Sequence, residues 1–296
     1  MTLYQRLRQK EKIMRGVFFT CAVFSVLALI TILVFLLVGG VPFLAKTGVG
    51  QFLFGTNWNP LAETPSYGIL PMIVATLYVT ALSVLIGVPI GLGTALALYR
   101  FLPKRLVRPI KQAINLLAGI PSVLFGLFGI TVIVPFLRDV LSPNGVGYGI
   151  LAASLVLSVM ILPTVVSISC DSLESVPQEY YSGALALGAT KEQATFSVML
   201  PAAKSGILAG VVLAIGRVVG ETMAVIMVIG GSAEMPHGLF QSVRTLTANI
   251  AMGAMEMRGD PLNALIATGV ILLVFTLLLN VSFSALKRKG EREEKQ

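Results

Sequence analysis

Long uncharged apolar runs alternate with short basic segments along this chain. Residues 16–45, 64–99, 112–137, 140–170 and 261–286 contain no Asp, Glu, Lys or Arg, and the run 205–233 is interrupted only by Arg217 and Glu221. About 20 mostly apolar residues make a helix long enough to cross a bilayer. The pattern therefore predicts an all-α, polytopic membrane protein with six transmembrane helices, over 17–40, 69–99, 112–137, 149–169, 205–231 and 262–286. The transmembrane domain then covers 17–286, with a core at 69–286, between tails at 1–16 and 287–296.

The basic residues set the orientation. Arg6, Arg8, Lys10, Lys12 and Arg15 precede the first span, and Arg100, Lys104, Arg105, Arg108 and Lys111 follow the second. Lys191 and Lys204 lie in the loop 171–204, and Lys287, Arg288, Lys289, Arg292 and Lys295 follow the last span. The opposite connections hold Lys46, Arg138, Arg244 and Arg258. Cytoplasmic loops carry the excess of Lys and Arg, so both termini are expected in the cytoplasm.

Composition agrees: 55% of the 296 residues are hydrophobic and 12% charged, and mean hydropathy is +0.87. A soluble domain is about 25% charged. The net charge of +8 sits at the ends of apolar segments, which points to a lipid surface and not to nucleic acid. The first run is too long for a cleavable signal and reads as a retained span. Cys21 and Cys170 form neither a disulfide framework nor a metal cluster and read as small buried hydrophobes. Pro71, Pro89, Gly91, Gly93, Gly119, Pro121, Gly126 and Gly129 punctuate the second and third spans. Two readings stand for them: close packing through small residues, or backbone lining a wet pathway.

The loop 171–204 has helical content of its own. Pro177 marks a helix start, Gly188 interrupts the pattern, and Thr190-Lys-Glu-Gln193 has the form of a capping box. Two short helices joined at Gly188 are expected, as a docking knob or as an ordered surface loop.

Arg217 and Glu221 stand inside the fifth span. A charge at mid-membrane costs about 2.5–3.5 kcal/mol on insertion scales. Four residues apart on a continuous helix, the two would share a face and be able to pair. Arginine's planar fork suits bidentate contact with phosphate oxygens. Glu221 would hold Arg217 and moderate its affinity, or accept a proton from a protonated phosphate, and Thr222 would add a hydroxyl. The alternative is a buried ion pair that fixes packing. Elsewhere, His237 reads as a surface histidine. The segment 239–257 reads as an amphipathic helix, either at the outer surface or packed, and Trp58 reads as an interface anchor.

The inner loop resembles that of ABC importer permeases, which has the form E-A-A-x-x-x-G, nine residues, then I-x-L-P. Here Ser182-Gly-Ala-Leu-Ala-Leu-Gly188 is followed nine residues on by Val198-Met-Leu-Pro201. Ala184, Gly188, Leu200 and Pro201 match in identity. Ser182 replaces the first acid, and Glu179 lies three residues before it. Trp58-Asn-Pro60, Tyr67-Gly-Ile-Leu-Pro71, Ala118-Gly-Ile-Pro-Ser122, Met160-Ile-Leu-Pro163 and Gly216-Arg-Val-Val-Gly-Glu-Thr-Met-Ala-Val225 are similar to phosphate importer permeases of the PstC type.

The resemblance implies a type I ABC importer permease fold, with both termini inside, in a bacterial plasma (inner) membrane. It implies a heterodimer with a PstA-like permease, an ATP-binding cassette ATPase dimer docked on the 178–201 loop, and an extracytoplasmic phosphate-binding protein. It places Glu179, Ser182, Ala184, Gly188, Leu200 and Pro201 at the ATPase contact; the intramembrane charges themselves suggest Arg217, Glu221 and Thr222 for the translocation path. The chain has no G-x-x-x-x-G-K-[ST] loop, so no enzymatic activity and no cofactor of its own are expected, and a partner would use the ATP. Three other readings remain: a permease for tungstate, molybdate or sulfate, an ion-driven secondary transporter or channel, and a membrane scaffold.

Overall fold

A computed structural model describes residues 3–143 and 145–293. The chain forms α1 (Leu3–Thr47), α2 (Val49–Phe54), a two-stranded ribbon of β1 (Trp58–Asn59) and β2 (Ser66–Tyr67), and α3 (Leu70–Leu96), which ends in a π-helical turn, Ala97–Phe101. Next come α4 (Lys104–Ala118), α5 (Ser122–Phe128), α6 (Val134–Phe136) and α7 (Ile150–Ser175). The segment between α7 and α11 holds α8 (Gln178–Ala186), α9 (Lys191–Gln193) and α10 (Leu200–Ala202). The chain closes with α11 (Lys204–Gly220), α12 (Met223–Ile229), α13 (Leu246–Gly253) and α14 (Asp260–Glu293).

Five helical stretches are long and apolar enough to cross a bilayer: Glu11–Thr47, Leu70–Phe101, Ser122–Leu141, Ile150–Ser175 and Asp260–Ser282. The bent pair Lys191–Ala202 and Lys204–Gly220 passes the same test together and makes a sixth if it is one span; α12 follows α11 after a two-residue break. The tails at 1–16 and 287–296 are helical where described; 1–2 and 294–296 lie outside the described residues.

α7 is the central helix, buried along most of its length. Small residues bring its neighbours close. A Cβ at Gly91 of α3 would lie 2.7 Å from Val165, and one at Gly210 of α11 would lie 2.9 Å from Ile168. α5 meets α12 the same way, with Gly126 against Met227. For Gly91, Gly126 and Gly129, therefore, packing is the reading the structure supports. Hydroxyls in the spans bond back to the preceding turn, as in Thr76 to Met72 O (2.7 Å) and Ser83 to Val79 O (2.7 Å). Apolar surroundings offer them no water. α1 stands apart, with Phe18, Phe19 and Phe24 exposed as a lipid-facing surface, and meets α14 where Gly40 faces Val270.

Four expectations are corrected. The third span is Ser122–Leu141 and not 112–137, because Gly119–Pro121 separates off α4. α4 is amphipathic: Val107, Ile110 and Ile114 pack on Ala95, Leu98, Val166 and Cys170. α7 continues through Ser175, so residues 171–175 belong to a span's helix and not to the loop. Trp58 is packed inside the protein with Phe43, Phe52 and Tyr67 and is not an exposed anchor. Within 239–257 the helix is α13, and it is packed: Leu246, Thr247, Ala248 and Asn249 are all buried. Cys21 is exposed on α1, while Cys170 is buried as expected.

Candidate functional site

The fifth span breaks at the charged residues. α11 stops at Gly220. Glu221 is extended (φ −70°, ψ 131°) and Thr222 starts α12. Gly220 is a poor helix residue, and the side chains that follow satisfy one orphan group at each end. The Glu221 carboxylate accepts from Ala224 N–H at 3.1 Å, and Thr222 Oγ1 donates to Gly220 O at 3.3 Å. An acid at a helix N-terminus also suits the local dipole.

This corrects the expected pairing. Four-residue spacing places two side chains on one face only if the helix is continuous, and here it ends before Glu221. Among the described residues the ion pairs are Lys46–Asp260, Lys111–Glu174 and Arg138–Asp139, and Arg217–Glu221 is not one of them. Arg217 is half-buried on the last turn of α11 and donates through Nη1 to Thr164 Oγ1 of α7 at 3.5 Å. Its remaining N–H groups have no partner among the described residues. A half-buried guanidinium with donors to spare can take up an anion. Thr222 is half-buried beside it in sequence, at the start of α12.

α13 closes the break from the other side. Thr247 Oγ1 donates to Glu221 O at 2.9 Å, and Leu246 N–H donates to Thr76 Oγ1 of α3 at 3.1 Å. At the far end of α12, Arg244 donates to Gly231 O through Nη2 (2.6 Å) and Nε (2.8 Å), and to Asn249 Oδ1 at 3.2 Å. Burial holds the Arg244 guanidinium below its ordinary pKa. Thr164, Thr247 and Arg244 escape a reading of the sequence because they lie far along the chain from Arg217. The one signal was Thr164, directly after Pro163.

The inner segment matches its expected shape. Thr190 and Gln193 form the capping box reciprocally, with Gln193 N–H to Thr190 Oγ1 at 3.2 Å and Thr190 N–H to Gln193 Oε1 at 2.9 Å. Gly188 turns with φ +90°, a conformation that favours glycine. α8 buries none of its residues: Glu179 and Ser182 are exposed and Ala184 is half-buried. Leu187 is 92% exposed, and Tyr180, Leu185 and Phe196 join it as an apolar surface. Leu200 and Pro201 form α10, after which the chain bends by 68° into α11. The segment is thus an elbow attached directly to α11, the helix that carries Arg217. His237 is exposed, as expected. Among the described residues no cluster of His, Cys, Asp or Glu could hold a metal ion.

Residues 87–292 match the family described as Binding-protein-dependent transport system inner membrane component. A probable ABC transporter permease protein, YqgH of Bacillus subtilis, is 39% identical over 275 residues, covering 91% of this chain and 89% of the relative. The phosphate transport system permease protein PstC of Mesorhizobium japonicum is 38% identical, covering 84% of each chain. The corresponding PstC of Haemophilus influenzae is 34% identical, covering 88% of each. Among solved structures, a bacterial alginate ABC transporter aligns with TM-score 0.68 at 15% identity over 97% of both chains. The inward-facing MetNI methionine ABC transporter aligns with TM-score 0.61 at 21% identity, over 75% of this chain and 95% of that one. These likenesses show the fold, that of type I ABC importer permeases. The chain is a multi-pass membrane permease subunit and belongs, with the PstC permeases, to the binding-protein-dependent transport system inner membrane components.

Proposed function

We propose that this chain is the PstC-type permease of an ATP-driven importer of inorganic phosphate, and that Arg217 binds the anion in transit. The observation that carries this reading is the break at Glu221–Thr222, with an incompletely paired arginine one turn before it. Discontinuous helices near mid-membrane mark substrate sites in transporters, because freed backbone groups survive there only beside protein or water. The names of the PstC relatives favour phosphate.

The depth fits. With α11 starting at the inner face, Arg217 lies about 20 Å along it at 1.5 Å per residue, inside a hydrocarbon layer about 30 Å thick. The excess of Lys and Arg on the inner loops supports both termini in the cytoplasm. Glu221, fixed as a cap, faces the anion as a proton acceptor for a protonated phosphate, a contact sulfate does not offer at neutral pH. Thr222 lends its hydroxyl.

A PstA-like permease completes the path from the other side. The exposed surface around Leu187 docks on one member of an ATPase pair, in the segment holding Glu179, Ser182, Ala184, Gly188, Leu200 and Pro201. A phosphate-binding protein delivers the anion from outside. ATP acts on the partner, and no cofactor belongs to this chain. The elbow at Ala203 carries the ATPase movement into α11, and rocking of the spans exposes Arg217 to each side in turn.

The test is Arg217→Gln in the assembled complex, with labelled phosphate and labelled sulfate. Phosphate uptake is expected to vanish while the partners still co-purify. Loss of assembly would make Arg217 structural, and uptake of sulfate at the phosphate rate by the unaltered complex would overturn the substrate.

A further inference from the structure

At the end of α3 and the end of α7 lies a cavity of about 590 Å³. Arg100, Lys104, Arg108 and Lys111 line it, against one carboxylate, Glu174. Three of the cations come from α4 at four- and three-residue spacing, which sets them on one face. The packing of Val107, Ile110 and Ile114 on α3 and α7 fixes that face. The α4 cations are therefore presented from one side of the helix, toward the cavity they line.

Their compensation is incomplete. Lys111 is taken by Glu174 at 2.7 Å. Arg100 donates to Gln178 Oε1 at 2.6 Å and lies 3.9 Å over the ring of Tyr181. These contacts hold it in place without neutralising it. Lys104 and Arg108 have no partner among the described residues. Like charges held together repel, and an anion is the chemistry that offsets them.

A polar stripe leads toward this cavity. Thr164, Ser167, Asp171 and Glu174 follow one another at three- and four-residue steps along α7, so they share a face. The stripe begins at the Arg217 contact on Thr164. It continues through a smaller cavity of about 250 Å³ that Ser167, Asp171, Lys111 and Asn115 help to line. Lys111 and Asn115 line the larger cavity too. Asp171 repels an anion in the smaller space, and Glu174 is occupied by Lys111, so the favoured seat lies toward Arg100, Lys104 and Arg108.

We propose that this basic cavity is a binding site for a phosphate group, separate from Arg217. Basic pockets between membrane helices at the cytoplasmic side take phosphate-bearing headgroups, and free phosphate presents the same oxygens. The site is read by binding and not by uptake, so it stands or falls apart from the transport reading.

The test uses the full chain carrying Arg217→Gln, so that phosphate at the proposed transport site does not register, in phosphatidylcholine nanodiscs titrated with inorganic phosphate and, separately, with dihexanoyl phosphatidylglycerol. Saturable binding of at least one probe is expected. Displacement of the lipid by phosphate would identify the free anion as occupant, and lipid binding insensitive to phosphate would identify the headgroup; either supports the site. Lys104→Gln with Arg108→Gln should weaken binding roughly thirtyfold, the loss two interfacial cations carry. Arg108→Gln alone should weaken it by about fivefold, which keeps the test alive if the double variant fails to fold. Arg105→Gln lies on the same helix outside the cavity lining and should leave binding unchanged. No saturable binding of either probe, variants that bind normally, or an equal loss in Arg105→Gln would overturn the proposal.

Discussion

The Thr247 hydroxyl donates to the Glu221 carbonyl at 2.9 Å, and this bond ties α13 to the gap between α11 and α12. A carbonyl freed by a broken helix needs a donor, because apolar surroundings supply none. Thr247 is buried and supplies that donor. The interruption is thus supported on both flanks: by the Glu221 carboxylate on α12 and by Thr247 on the carbonyl side.

Thr247→Val keeps the shape and removes the donor. A buried carbonyl left unpaired costs about 1–3 kcal/mol. The melting temperature should fall, and amide exchange over residues 221–224 should rise more than exchange in α7. Exchange over 221–224 unchanged from that of the unaltered chain would show that Thr247 does not hold the break.

Glu221 combines a cap and a charge, and two substitutions separate them. Glu221→Gln retains an oxygen that can accept from Ala224 N–H, so stability should change little. Glu221→Ala loses the cap, at about 1 kcal/mol. Both should lose uptake if the negative charge serves the anion cycle. Full uptake in Glu221→Gln would assign the residue to capping alone.

Gly188 is required for its backbone and not for space. Nothing lies within 4 Å of where a Cβ would stand, yet φ is +90°. Gly188→Ala should strain the turn by about 1–3 kcal/mol and disorder the exposed α8–α9 elbow while the spans stay folded. Co-purification of the ATPase should drop, with an unchanged melting transition for the membrane core. Undiminished ATPase recovery would remove this turn from the docking surface.

Much of this architecture was readable from charge-free runs, since a span must be apolar along its whole length. The Thr190 capping box and the Gly188 turn were equally readable, because each is decided by a few adjacent residues. The break at Glu221 was not. Its residues satisfy a continuous helical pattern, and the decision rests on Gly220 together with Thr247, 26 residues away along the chain. The third span was misplaced because residues 112–118 carry no Asp, Glu or Arg or Lys, yet pack one face of α4 on α3 and α7. α13 is buried by α3 and α14, separate elements of the chain, and its own pattern cannot reveal that.

The contact between α3 and α7 permits the most direct test of packing. A Cβ at Gly91 would stand 2.7 Å from Val165 Cγ1, whereas at Gly93 nothing lies within 4 Å. Gly91→Ala should therefore destabilise by about 1–3 kcal/mol through overpacking, although alanine is the better helix former. Gly93→Ala shares the helix and lacks the clash, so it should be neutral or stabilising. Val165→Ala alone leaves a void; combined with Gly91→Ala it supplies the room the new methyl needs. The pair should cost less than the two separate losses added together, as a double-mutant cycle on the melting transition would measure. Additive losses would mean that the helices shift apart instead of meeting at these two residues, and the close approach would then not be what holds α3 to the central helix.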